Sequence, residues 1–239
     1  MKNSLDYWVL ERLNHLVASS TFLSGQAIFF NDSGFSELMI ASSIVALWFL
    51  ENSKTGRPIK KLRHRVLLMV FALVPTYILA RLIQSLFHRP RPIVTVPLEI
   101  PITLESWNSA RNVFSHGGSF PSDHEALLFI FITVAFTINK WLGIVSVLFS
   151  VYYGVLRISF GYLWPSDVIG GALLGSLVTL SILSIKPLLE NLVESVLLQF
   201  KRYPAQLYTI SFILLSDFEQ SFLYLKKLLS LVFHIRLFH

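Results

Sequence analysis

Three short segments gather most of the side chains in this sequence that could do chemistry: RLIQSLFHRPRP over 81–92, SFPSDHE over 119–125 and RISFGYLWPSD over 157–167. Arg89, Arg91 and Arg157 carry planar guanidinium forks, which make paired hydrogen bonds to an oxyanion. Pro121-Ser122 opens a helix, and Ser122 followed three residues later by Glu125 fits a capping box. The free backbone N–H groups of such a start, with the helix dipole, attract an anion. His124 on that first turn is a proton donor or acceptor. Asp167, opening a later helix, is a candidate orienter or base. Each residue alone also has a purely structural reading. Arg81 and Arg157 near span ends can snorkel to headgroups, and the Pro-Ser-Asp triplets at 121–123 and 165–167 start helices well without a ligand. Only convergence of the three segments on one face makes a site.

The elements that must bring them together are apolar. Of 239 residues, 54% are apolar, 14% aromatic and only 14% charged, against roughly 25% charged in soluble domains. Mean hydropathy is +0.61. There is too little polar surface to coat a water-soluble globule, and composition excludes disorder, collagen-like repeats and coiled coil. No cysteine is present, which removes disulfides, thiolate metal sites and a cysteine nucleophile. The net charge of +6 reads as membrane orientation rather than as a nucleic-acid footprint.

Periodicity and hydropathy predict an all-α, polytopic transmembrane bundle of five or six spans. Residues 1–34 read as an N-terminal amphipathic or interfacial helix, or a poor span packed on the bundle. The N-terminus lacks an uninterrupted apolar core and a small-residue cleavage site, so no removable signal peptide is expected. Residues 35–187 form the core, with spans at about 35–52, 66–87, 123–139, 141–160 and 167–185. Only fourteen uncharged residues separate Glu125 from Lys140, fewer than the roughly 20 a bilayer requires. Residues 188–239 read as an amphipathic tail or a further span around 204–215. The linker over 54–65 carries six positive residues and is expected in the cytoplasm. Counting spans from there puts the 88–122 loop and the 160–166 turn together on the outer face.

Taken together, these residues resemble the type 2 phosphatidic acid phosphatase (PAP2) family, which shares its pocket with vanadium haloperoxidases. The family pattern is Lys-x6-Arg-Pro, then Pro-Ser-x-His, then Arg-x5-His-x3-Asp. Here it aligns as Gln84-x6-Arg91-Pro92, Pro121-Ser122-Asp123-His124 and Arg157-x5-Leu163-x3-Asp167. The resemblance implies a membrane phosphatase acting on a lipid phosphate, such as phosphatidate or undecaprenyl diphosphate, in a bacterial-type inner membrane with its site on the outer face. It implies that Gln84, Arg89, Arg91, Ser122, Asp123 through its backbone, and Arg157 hold the phosphate. It also implies that His124 protonates the leaving group and that Asp167 orients a nucleophilic histidine. No metal or other cofactor is implied, since arginines neutralise the phosphate charge.

Two positions depart from the pattern. Gln84 stands where the family has lysine; its amide donates a hydrogen bond but brings no charge, which Arg81 or Arg89 can supply. Leu163 stands at the nucleophile position, and leucine has no lone pair. Three accounts follow. His116 or His88 serves as nucleophile, or His124 activates water for direct attack. Alternatively the chain binds a lipid phosphate without cleaving it. In the third, it transfers a phosphoryl-linked group by direct displacement. Phosphoryl transfer depends chiefly on positioning and charge neutralisation, so all three are chemically coherent. A haloperoxidase-like oxidative enzyme is the reading from another class, and the apolar composition disfavours it.

Overall fold

The computed structural model describes residues 4–32, 35–52, 57–99, 108, 112 and 118–219. Its helices are α1 (Ser4–Ala18), α2 (Thr21–Asp32), α3 (Phe35–Phe49), α4 (Lys60–Phe87), α5 (Pro92–Thr95), α6 (Asp123–Ile138), α7 (Lys140–Ser159), α8 (Pro165–Ser184), α9 (Lys186–Arg202) and α10 (Pro204–Glu219). Two-residue strands β1 (Glu51–Asn52) and β2 (Arg57–Pro58) pair antiparallel. Each expected span falls on a helix, except that the span expected over 35–52 runs past α3 into β1. Among the described residues, three helical stretches are long and apolar enough to cross a membrane: Lys60–Thr95, α7 and α8. Helix α6, with 16 residues, extends about 24 Å at 1.5 Å per residue, short of a hydrocarbon core of roughly 30 Å.

The chain forms two compact units: Met1–Ser33 with Met69–Leu183, and Gly34–Leu68 with Ser184–His239. In the second, Trp48 of α3 donates from Nε1 to Tyr208 of α10 at 3.1 Å, and its ring lies 4.8 Å from that of Phe200. Lys60 pairs with Glu194 of α9 at 2.8 Å on the surface.

The first unit holds all three chemical segments. Helix α7 is its centre, with α1, α2 and α6 packed against it. Asn139 caps α7 by accepting from the N–H groups of Trp141 and Leu142 at 2.8 and 3.4 Å, so the chain turns from α6 into α7 in a single residue. Helix α8 lies close on α6 because Gly171 and Gly175 present no side chain: a Cβ at either would collide with the backbone oxygen of Ser122 or Ala126. That approach lets Ser122 donate its N–H to the carbonyl of Asp167 at 3.0 Å, joining the starts of α6 and α8.

Helix α1 is not a plain amphipathic helix. Its buried stripe runs Asp6, Leu10, Asn14 and Val17. Asn14 donates to the carbonyls of Ser159 and Glu99 at 2.9 and 2.8 Å and accepts from Glu99 N–H at 2.9 Å. Polar side chains thus tie α1 to the end of α7 and the segment after α5. Gly161, at φ +71°, provides the left-handed turn after α7, and its carbonyl accepts from Ile93 at 2.8 Å.

Candidate active site

The starts of α6 and α8, the ends of α4 and α7, and the Arg89–Arg91 turn converge within the first unit. Gln84, one turn from the end of α4, donates to the carbonyl of Pro121 at 2.8 Å. This amide contact ties the first motif to the second. Arg81, one turn earlier, donates to Gln84 Oε1 at 3.1 Å and pairs with Asp123 at 2.9 Å. Arg81 therefore brings positive charge where glutamine brings none. Arg91 is nearly buried, donates to the carbonyl of Tyr162 at 3.1 Å, and lies within electrostatic reach of Asp123, Arg157, Arg81 and Asp167. Arg157, also buried, donates to the Tyr153 hydroxyl at 2.7 Å and lies over that ring at 5.4 Å. Arg81 and Arg91 thus lie near Asp123 of the second motif, and Arg157 near Arg91.

At that second motif, Ser122 is the N-cap of α6 and accepts from Glu125 N–H at 3.3 Å. Only half of the expected capping box forms. The Glu125 carboxylate turns instead to α7, where Ser150 donates to it at 2.8 Å. Asp123 contributes more than backbone: its Oδ1 lies 2.9 Å from Nδ1 of His124, and its Oδ2 meets Arg81. Arg81, Asp123 and His124 form a chain in which the carboxylate holds the imidazole through Nδ1.

The third motif is arranged differently. Leu163 is 1% exposed and lies in an apolar cluster with Val17, Ala27, Ile93, Leu156, Phe160 and Tyr162. Asp167 is fully buried, and among the described residues its partners are not a histidine. It accepts from Trp164 N–H at 2.8 Å and pairs with Arg89 at 2.9 Å. Arg89 also donates to Ser166 Oγ and to Asp6 of α1, each at 2.6 Å, and lies 5.2 Å above the Trp164 ring. Arg89, expected to hold phosphate, is thus held between two buried carboxylates. His116 lies outside the described residues. His88 sits at φ +42° and lines a cavity of about 620 Å³ with Asp6, Arg89, Trp164 and Ser166.

Asp6, Ser166, Trp164 and Tyr153 join the site without belonging to the motif positions. The signal for Asp6 was an acidic residue within an apolar helical spacing, which is costly unless paired.

The chain matches the PAP2 superfamily over residues 65–189, more than half of its length. The chain belongs to the PAP2 superfamily. A bacitracin transport permease protein of Bacillus licheniformis is similar to it, at 29% identity over 153 residues, or 63% of this chain. The chain spans 66% of that relative's length. In structure it resembles the first transmembrane PAP2-type phosphatidylglycerolphosphate phosphatase from Bacillus subtilis, with TM-score 0.50 and 16% identity over 78% of this chain and 88% of that one. That likeness bears on the fold alone, a polytopic helical membrane bundle of the PAP2 type.

Proposed function

We propose that this PAP2 chain is an integral membrane phosphatase that hydrolyses a lipid phosphate by direct in-line attack of water. The observation that carries the reading is the Arg81–Asp123–His124 chain beside buried Arg91 and Arg157. The arginines and the first N–H groups of α6 stabilise the charge on the phosphoryl oxygens. With Nδ1 engaged by Asp123, Nε2 of His124 takes the water proton as the new P–O bond forms. The ester P–O bond breaks opposite it, and the departing alkoxide takes a proton from solvent. Metal-free neutralisation by three guanidinium groups is consistent with this chemistry. The positive linker over 54–65 supports a site on the non-cytoplasmic face.

A second reading has its own support. Leu163 packed in an apolar cluster, with Asp167 committed to Arg89, favours a chain that binds a lipid phosphate without turnover. Phosphate release by the purified protein over a panel of lipid mono- and diphosphates separates the two. Release lost in His124→Ala, with vanadate binding retained, supports hydrolysis. Absence of release from every lipid, with vanadate bound, supports the non-catalytic reading.

A further inference from the structure

The turn from Arg89 to Arg91 is bonded to both of the other motif segments. The backbone carbonyl of Arg89 accepts from Ser119 N–H at 2.8 Å, which holds the segment leading into Pro121 and Ser122. The carbonyl of Pro90 accepts from Trp164 Nε1 at 2.9 Å, and Arg91 donates to the carbonyl of Tyr162 at 3.1 Å. Ile93, just beyond, donates to the carbonyl of Gly161 at 2.8 Å. The first, second and third motifs are therefore joined at this turn, and where the turn sits decides how Arg91 stands relative to the starts of α6 and α8.

The Arg89 side chain fastens the turn, and part of its hold comes from α1. One guanidinium nitrogen donates to Ser166 Oγ at 2.6 Å and to Asp167 at 2.9 Å, and the other donates to Asp6 at 2.6 Å. Asp6 also accepts from Ser166 N–H at 3.1 Å and from Ser166 Oγ at 2.7 Å. One buried carboxylate on α1 thus grips the turn's arginine and the first turn of α8 together. Charge-assisted bonds of this kind are short and fix geometry. Helix α1 is itself held further along, where Leu10 packs with Ile158 and Trp164, and Asn14 bonds to Ser159 and Glu99.

We infer that Asp6 is a positioning residue for the phosphate site: acting through Arg89, it sets where Arg91 stands relative to the starts of α6 and α8. This rests on the phosphate-site reading above and adds to that site a helix from outside the segment that matches the superfamily. Asp6 does not meet the anion. Its effect is geometric: a slack Arg89 lets Arg91 and the first N–H groups of α6 drift apart. A displacement of about 1 Å can cost on the order of 100-fold where reaction depends on orientation.

The test is vanadate binding to the full chain in detergent, measured per folded protein. Asp6→Asn keeps the side chain's size, removes its charge and is expected to weaken vanadate about tenfold. Arg89→Gln should weaken it at least as much, and the double variant should bind no worse than Arg89→Gln alone, because Asp6 acts through Arg89. Val17→Ala loosens α1 in its apolar cluster without touching the Arg89 bonds, and its affinity should stay that of the wild type. Phosphate release from saturating farnesyl phosphate adds a readout that lost packing alone does not move. There kcat per folded protein should fall about tenfold or more in Asp6→Asn and hold steady in Val17→Ala. Where the wild type releases no phosphate, the binding results decide alone. Should Asp6→Asn not fold, Ser166→Ala removes only the hydroxyl that Asp6 and Arg89 share, and is expected to weaken vanadate about fivefold. Unchanged affinity in Asp6→Asn, or in Ser166→Ala used in its place, overturns the inference alone. Additive losses in the double variant, or an equal loss in Val17→Ala, do the same. Absence of vanadate binding by the wild type overturns the phosphate-site reading, and this inference with it.

Discussion

The Arg91–Arg157 side of the site and the Arg89–Asp167 side are built from the same residue types and pair their charges differently. On the first side, Arg81 pairs with Asp123, Arg91 lies within electrostatic reach of Asp123 and Arg157, and Glu125 further along α6 is bonded to Ser150. Among the described residues, three arginines there stand with two carboxylates. On the second side, Asp6 and Asp167 close on Arg89, and the position aligned with the family's nucleophile is a leucine in the apolar core. What an arginine can do for an anion therefore depends on the carboxylates the fold packs around it. Motif spacing records where the arginine is, and the surrounding carboxylates decide what it does.

The comparison can be broken most sharply on the positive side. Arg157→Ala or Arg91→Ala is expected to lower vanadate affinity a hundredfold or more, measured on the purified protein, since on the proposed reading each removes a buried charge that holds the anion. Unchanged affinity would remove the positive half of the account. His124→Ala should next reduce phosphate release by 10² to 10⁴-fold, the usual range for a lost general base, while vanadate binding stays within a few-fold.

On the other side the expected effects fall on stability. Arg89→Ala leaves Asp6 and Asp167 facing each other without their shared cation, and should cost about 3–5 kcal/mol in reversible unfolding. A cost below about 1 kcal/mol would mean that the network is slack. Leu163→Ala should cost about 2–5 kcal/mol, through the cavity it opens in the apolar cluster. Leu163→His should yield no phosphohistidine after alkaline quench with labelled substrate, because Asp167 is already committed to Arg89. A phosphorylated histidine in that variant would show that the family's route needs only one residue to return. The smallest effect expected is Ser122→Ala, about 1 kcal/mol from the lost cap on α6.

Much of this arrangement was legible from residue order. The helical membrane architecture followed from composition and the apolar runs, and the spacing of Arg91, His124 and Arg157 carried the superfamily membership. Gln84 and Leu163 stood out as departures because the motif defines what belongs there. The fate of Arg89 was not legible. It depends on Asp6, 83 positions away, in a helix whose polar residues read as interruptions of an amphipathic pattern. Asp123 was likewise marked for its backbone alone, because a motif position that accepts any residue gives no reason to expect an ion pair with Arg81. Local spacing reports residues that act within one turn of each other. Long-range pairing of buried charges is set by packing, here by the close approach of α8 to α6 and of α1 to α7.

The central claim is that the positive side of the site performs hydrolysis without a covalent histidine. The measurement that tests it most directly is the time course of phosphate release from a lipid phosphomonoester by the purified wild-type chain, with alkaline-quenched samples assayed for phosphohistidine throughout. Steady release, loss of release in His124→Ala and no phosphohistidine at any time are the expected result. Release that passes through a phosphorylated histidine, or persists undiminished in His124→Ala, would contradict it.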